Sequence, residues 1–136
     1  MNGVYTSTGS NSAYYGWMWK RVSSYFDVVA YTGNSTNGRE LKHNLGVVPE
    51  MVWFKQRDGV RNWHVYHKTT GNSNTGVLNS SALFEDNSAG FTANPTATSI
   101  FLKNTNENNG SGNDYIAYLF ATVTGVSKVD RDWETS

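Results

Sequence analysis

The sequence predicts an all-β protein, an antiparallel β-sandwich, and three observations predict it. Aromatic and β-branched residues gather in short runs, the length and composition of strands. Asn, Ser, Thr and Gly fill the intervals between them, and these residues compete with or weaken helical turns. No long segment carries the apolar period of about 3.6 residues that marks an amphipathic helix.

The chain of 136 residues suits one domain, or one domain with pieces of its neighbours. Residues 1–12 are small and polar and read as loop. Tyr14 to Trp19 is a short aromatic strand ending at Lys20-Arg21. Phe26 to Thr32 is the next strand, closed by Gly33-Asn34, and Asn37-Gly38 turns the chain into a short strand at 39–42. Pro49 fixes φ and cannot donate to a ladder, so the following strand begins after it, at about 50–57. Asp58-Gly59 reads as a hairpin turn into a second aromatic strand at 63–67. Further strands are expected at 76–79, 82–84, 90–92 and 99–103. A polar loop at 107–114 leads to the clearest strand, Tyr115 to Thr122, and Val126 to Val129 starts one more. Jelly-roll and immunoglobulin-like topologies both accommodate this order.

Strand alternation makes a specific demand at Trp53-Phe54. Successive side chains point to opposite faces, so both can be covered only if the strand is covered on both sides. One of the pair is therefore expected at the surface or at an interface. Val52 or Trp53, with Trp63, Tyr118 and Phe120, are expected to be mostly buried.

The chain also resembles itself. Gly9-Ser10, Tyr14, Gly16, Trp17, Trp19 and Val22 align with Gly110-Ser111, Tyr115, Ala117, Tyr118, Phe120 and Val123, about one hundred residues on. Self-similarity at a fixed period is the mark of tandem modules. Residues 1–25 are then the tail of a preceding module or a lead-in strand. Residues 26–125 form a β-sandwich module, and 126–136 begin a following module or carry a foreign tail. On this reading strands 14–19 and 115–120 compete for one place in a single module. The first must lie outside, add at an edge, or swap into another copy, an association hazard.

Three stretches, WKRVSSYFDVVAYTGNS, HNLGVVPEMVWFKQRDGVRNWHVYHK and YIAYLFATVTGVSKV, together resemble a module repeated in bacteriophage tail and tail-fibre-like structural proteins. The likeness runs from about Trp17 to Val129, and residues 130–136 depart from it. It implies a virion component of β-sandwich modules, made in the host cytoplasm without a signal peptide. The implied partners are other virion proteins, copies of the same module, or a host-surface glycan.

Composition sets separate bounds. The formal net charge is +0, which gives a polyanion nothing to hold, so no nucleic-acid partner is expected. No apolar run approaches the roughly 20 residues of a membrane span, so no membrane insertion is expected. There is no cysteine, and stability must come from the core, from a metal or from assembly.

His64 and His67 are three apart on a strand, hence on opposite faces, and they cannot share a metal; His43 is remote in sequence. Asn104 to Gly110 alternates oxygen ligands as a calcium loop does. Its glycine is one place late, and Tyr115 stands where the bidentate Glu is needed, so it reads as a hydrated surface loop. No GxSxG elbow occurs, and nothing brings two carboxylates together. No enzyme activity and no cofactor or metal are expected. The candidate contact residues are the aromatics Trp53, Trp63, Tyr66, Tyr14 and Trp17, whose flat faces can stack on a sugar ring or on a neighbouring module.

Overall fold

The computed structural model describes residues 4–6, 13–15, 18–81 and 89–130, of which 4–6, 13–15 and Ser73 are described by their backbone. Among the described residues ten strands occur: β1 Val4–Thr6, β2 Ala13–Tyr15, β3 Phe26–Thr32, β4 Arg39–Lys42, β5 Met51–Gln56, β6 His64–His67, β7 Gly76–Val77, β8 Phe91–Ala93, β9 Ser99–Leu102 and β10 Asp114–Phe120. A 3₁₀ turn at Gly71–Ser73 is the one helical element among the described residues.

The strands form two packed antiparallel sheets, a sandwich. One has five strands in the order β3-β10-β5-β6-β7, and the other has three in the order β4-β9-β8. β1 and β2 pair as a separate hairpin. The last long strand, β10, sits between β3 and β5, with Tyr115 opposite both Tyr31 and Gln56.

The core lies between the sheets. Odd positions of β10 (Tyr115, Ala117, Leu119) and even positions of β5 (Val52, Phe54) face inward, all fully buried. They meet Leu41, Phe91, Ile100 and Leu102 from the smaller sheet. Phe54 meets the Phe91 ring edge-on at 5.3 Å, and Tyr66 tilts against Phe91 at 4.8 Å.

The end of the sandwich between β9 and β10 is closed by residues 104–113. The expectation of a hydrated surface loop there is corrected: Asn108 and Asn109 are wholly buried. Asn108 Nδ2 donates to Ala89 O at 2.9 Å and Gly90 O at 3.0 Å, and its Oδ1 accepts from Thr105 Oγ1 at 3.1 Å. Tyr31 OH donates to Asn108 O at 2.6 Å. Asn109 Oδ1 accepts from Asn34 N and from Arg39, both at 3.2 Å. The asparagines satisfy backbone groups that the connection between two sheets would leave unpaired inside the protein.

Other expectations meet the structure as follows. The strand placed at 14–19 is β2 at Ala13–Tyr15, and Met18 to Lys20 are irregular. The 82–84 strand lies outside the described residues. Asp58-Gly59 does not make a tight two-residue turn, because β5 and β6 are joined by a longer connection over 57–63. Asp58 is used otherwise: its carboxylate accepts from Gln56 Nε2 at 2.9 Å and from Asp114 N at 2.9 Å, fastening the start of β10. No strand starts at Val126. There Val126 N and Ser127 N both turn back to Val123 O, so their donors are spent inside a turn.

Candidate functional site: an aromatic groove on the outer sheet face

Part of the outer face of the five-stranded sheet is apolar too. Strand pleating sends the other half of each run outward: Phe26 and Val28 from β3, Ile116, Tyr118 and Phe120 from β10, and Trp53 from β5. Trp63, just before β6, and Trp19 with Arg21, from the segment leading into β3, complete the lining of a groove of about 970 Å³.

Phe120 is its hub. Its ring centroid lies 4.7 Å from Trp53, 5.2 Å from Phe26 and 5.6 Å from Trp19, the last edge-on. Tyr118 stacks between Phe26, at 6.3 Å, and Trp63, at 6.1 Å. These separations suit offset and edge-on aromatic pairs, each worth about 0.5–1.5 kcal/mol beyond burial. Trp53 Nε1 is buried with no hydrogen-bond partner, an orphaned donor at this face.

Among the described residues the lining carries one charged side chain, Arg21, and that charge is occupied. Arg21 Nε donates to Asp27 Oδ1 at 2.5 Å, and Asp27 Oδ2 accepts from Asn44 N at 2.7 Å. Burial pushes the Asp27 carboxyl up, but the Asn44 amide and Arg21 more than reverse this, and its pKa ends below the ordinary range. Among the described residues the groove thus offers rings, aliphatic carbon and the Tyr118 hydroxyl, without a lining carboxylate or imidazole.

The structure divides the aromatic candidates. Trp53 and Trp63 line the groove, both half-buried. As alternation required, Phe54 is the core member of its pair and Trp53 the outer one. Tyr66 is on the opposite face, packed in the core and 4% exposed, so its ring is not offered to a ligand. Tyr14 pairs through its backbone with Tyr5 in the β1–β2 hairpin; its side chain, and Trp17 altogether, lie outside the described residues. Val52 and Phe120 are buried as expected, whereas Trp63 and Tyr118 are half-open on the outer face. Trp19, Phe26, Val28 and Ile116 were not among the sequence candidates. For Val28 and Ile116 the signal was present, since YIAYLF and VVAY are apolar at consecutive positions, the pattern of strands covered on both sides.

The histidines stand apart from the groove. His64 faces inward and His67 outward, as their spacing demands. Among the described residues no group of three or more His, Asp or Glu converges as a metal site. His43 Nδ1 accepts from Leu45 N at 3.3 Å, which leaves Nε2 to donate to Thr96 O at 3.2 Å. His64 Nε2 is 3.3 Å from Glu107 Oε2, without the alignment of a hydrogen bond. Burial is the main influence on both rings, and it lowers both pKa values below the ordinary 6.5 despite nearby carboxylates.

A histidine held neutral when folded must be charged at a cost in acid. The stability it lends is complete above 6.5 and drains as pH falls below that value. Urea midpoints measured between about pH 8 and pH 5 are therefore expected to fall on the acid side, ahead of any loss from Asp27 at lower pH. Midpoints that stay level across that range would contradict the buried, neutral assignment.

The family model described as a domain of unknown function, DUF7483, matches residues 5–131. The chain belongs to the DUF7483 family. No curated protein and no solved structure matches this DUF7483 domain. The matched span contains both sheets, the groove and the segment carrying Trp19 and Arg21.

Proposed function

We propose that this DUF7483 domain is a non-enzymatic structural and interaction module of a bacteriophage virion, one unit of a tandem series in a tail or tail-fibre-like protein. It is made in the host cytoplasm and assembled into the particle. The groove is the observation that carries the interaction role. Rigid rings over an apolar floor, with the Arg21 charge already paired, suit contact with another surface better than turnover of a substrate. The sequence likeness to phage tail modules supplies the setting. A host-surface glycan is the second reading, favoured by the half-open rings of Trp53 and Trp63, on which a sugar can stack. The described lining residues include no carboxylate or amide side chain to fix sugar hydroxyls, which ranks it second.

The test is incorporation. Particles purified from cells expressing the parent reading frame are expected to contain the chain in fixed ratio to other tail proteins by mass spectrometry. A chain abundant in lysate but missing from particles overturns the virion assignment. Trp63→Ser removes a ring that stacks on Tyr118 without entering the core, so the variant should fold. It is expected to lower incorporation at least about tenfold, the equivalent of 1.4 kcal/mol of binding. Normal incorporation with binding to host glycans lost would move the assignment to the glycan reading.

A further inference from the structure

The turn that leads into the sandwich recurs where the chain leaves it. At entry, Val22 N donates to Phe26 O at 2.9 Å, Phe26 N to Val22 O at 3.0 Å and Tyr25 N to Val22 O at 3.1 Å. At exit, Val123 N donates to Ser127 O at 3.1 Å, Ser127 N to Val123 O at 3.0 Å and Val126 N to Val123 O at 2.9 Å. The third residue of each turn has a positive φ, 64° at Ser24 and 78° at Gly125. A positive φ at the third position is what this kind of turn requires, and Ser24 supplies it although only a few per cent of non-glycine residues adopt it. The interval that separates Val22 from Val123 also separates Trp19 from Phe120 and Tyr14 from Tyr115. Sequence and hydrogen bonding thus repeat in step.

Under that correspondence Trp19 holds the position in a preceding copy that Phe120 holds in this one. The two rings touch, 5.6 Å apart, and Trp19 also meets Phe26 at 5.0 Å. On that correspondence, the counterpart of an outer-face residue already lies against the outer face of this copy. The one charge among the described lining residues does not oppose closer contact, because Arg21 is tied to Asp27. We propose that the aromatic groove is the docking surface for a second copy of this same unit, the outer sheet faces of successive copies meeting beside the repeated turn. This rests on the module reading above and names its partner.

The absence of native cysteine makes the test clean. Ile116→Cys places one thiol on the groove, and Thr92→Cys places one on β8 of the opposite sheet, at an exposed position. A single copy has no covalent neighbour to cover its groove, so two chains should pair through it. With a short flexible bis-maleimide, Ile116→Cys chains are expected to cross-link on the order of 100-fold faster than Thr92→Cys chains, as millimolar effective concentration exceeds micromolar encounter. Sedimentation of the unaltered chain should show a concentration-dependent dimer, weakened by Trp63→Ser, with circular dichroism unchanged. Equal cross-linking rates together with a monomer at every concentration overturn the inference. If Trp63→Ser still lowers incorporation into particles in that case, the groove serves a different partner and only this inference falls. If incorporation is also normal, the interaction role falls with it.

Discussion

Replacing Gly33 with alanine is expected to remove most of the domain's stability, at least about 4 kcal/mol, a loss confined to a few mechanisms of which backbone collision is one. A Cβ at Gly33 would lie 2.1 Å from Gly110 O and 2.8 Å from the carbonyl carbon of Asn109. Both obstacles are backbone and cannot swing aside as a side chain does. The approach is also fastened: Gly33 N donates to Asn113 O at 2.8 Å, Gly112 N to Gly33 O at 3.0 Å and Ser35 N to Asn109 O at 2.8 Å. Relieving the collision means giving up these bonds and lifting the loop that closes the sandwich end. Urea unfolding followed by tryptophan fluorescence measures the effect. A variant within about 1 kcal/mol of the parent would show that the two segments do not pack this closely.

Asn108→Asp is the second large effect, and its size should depend on pH. The Asn108 amide donates to two carbonyl oxygens, Ala89 O and Gly90 O, in a fully buried site. A carboxylate there would set negative oxygen against both with no donor to offer, so its folded pKa must rise above the ordinary aspartate value of about 3.9. Below that value both folded and unfolded forms are protonated and the charge costs nothing. Above it the deficit grows by about 1.4 kcal/mol per unit until the folded pKa is reached. An uncompensated buried charge costs about 3–5 kcal/mol, and that loss is expected at neutral pH. The variant should therefore recover relative to the parent on acidification, while the parent itself weakens as its histidines charge. A deficit equal at about pH 4 and pH 7 would place residue 108 in solvent.

What the sequence made legible was what strand geometry alone controls. Alternation separated Trp53 from Phe54 and His64 from His67 correctly, because a two-residue period leaves no choice once the strand exists. Turn chemistry placed the ends of β3 and β4, since Gly33-Asn34 and Asn37-Gly38 can do little else. The groove was only half visible. Trp53 and Trp63 could be named from their chemistry, but Tyr66 shares that chemistry and faces the core. Which side of a sheet is covered depends on the partner sheet, not on the strand. The Asn104–Gly110 segment misled for a related reason: polar composition signals solvent unless backbone groups elsewhere need partners. Those groups belong to Thr36, Ala89 and Gly90, distant in sequence.

The chain enters and leaves this fold at one corner. Phe26, the first residue of β3, lies opposite Phe120, the last of β10, and Ala121 N donates to Tyr25 O at 3.1 Å. A load drawn through the two ends therefore pulls β3 and β10 apart from their shared end. It meets the hydrogen bonds between them one after another instead of all together. Such a zipper is expected to open at low force and to close again from an intact remainder, so that a domain under tension would give length before the strands deeper in the sandwich feel the strain.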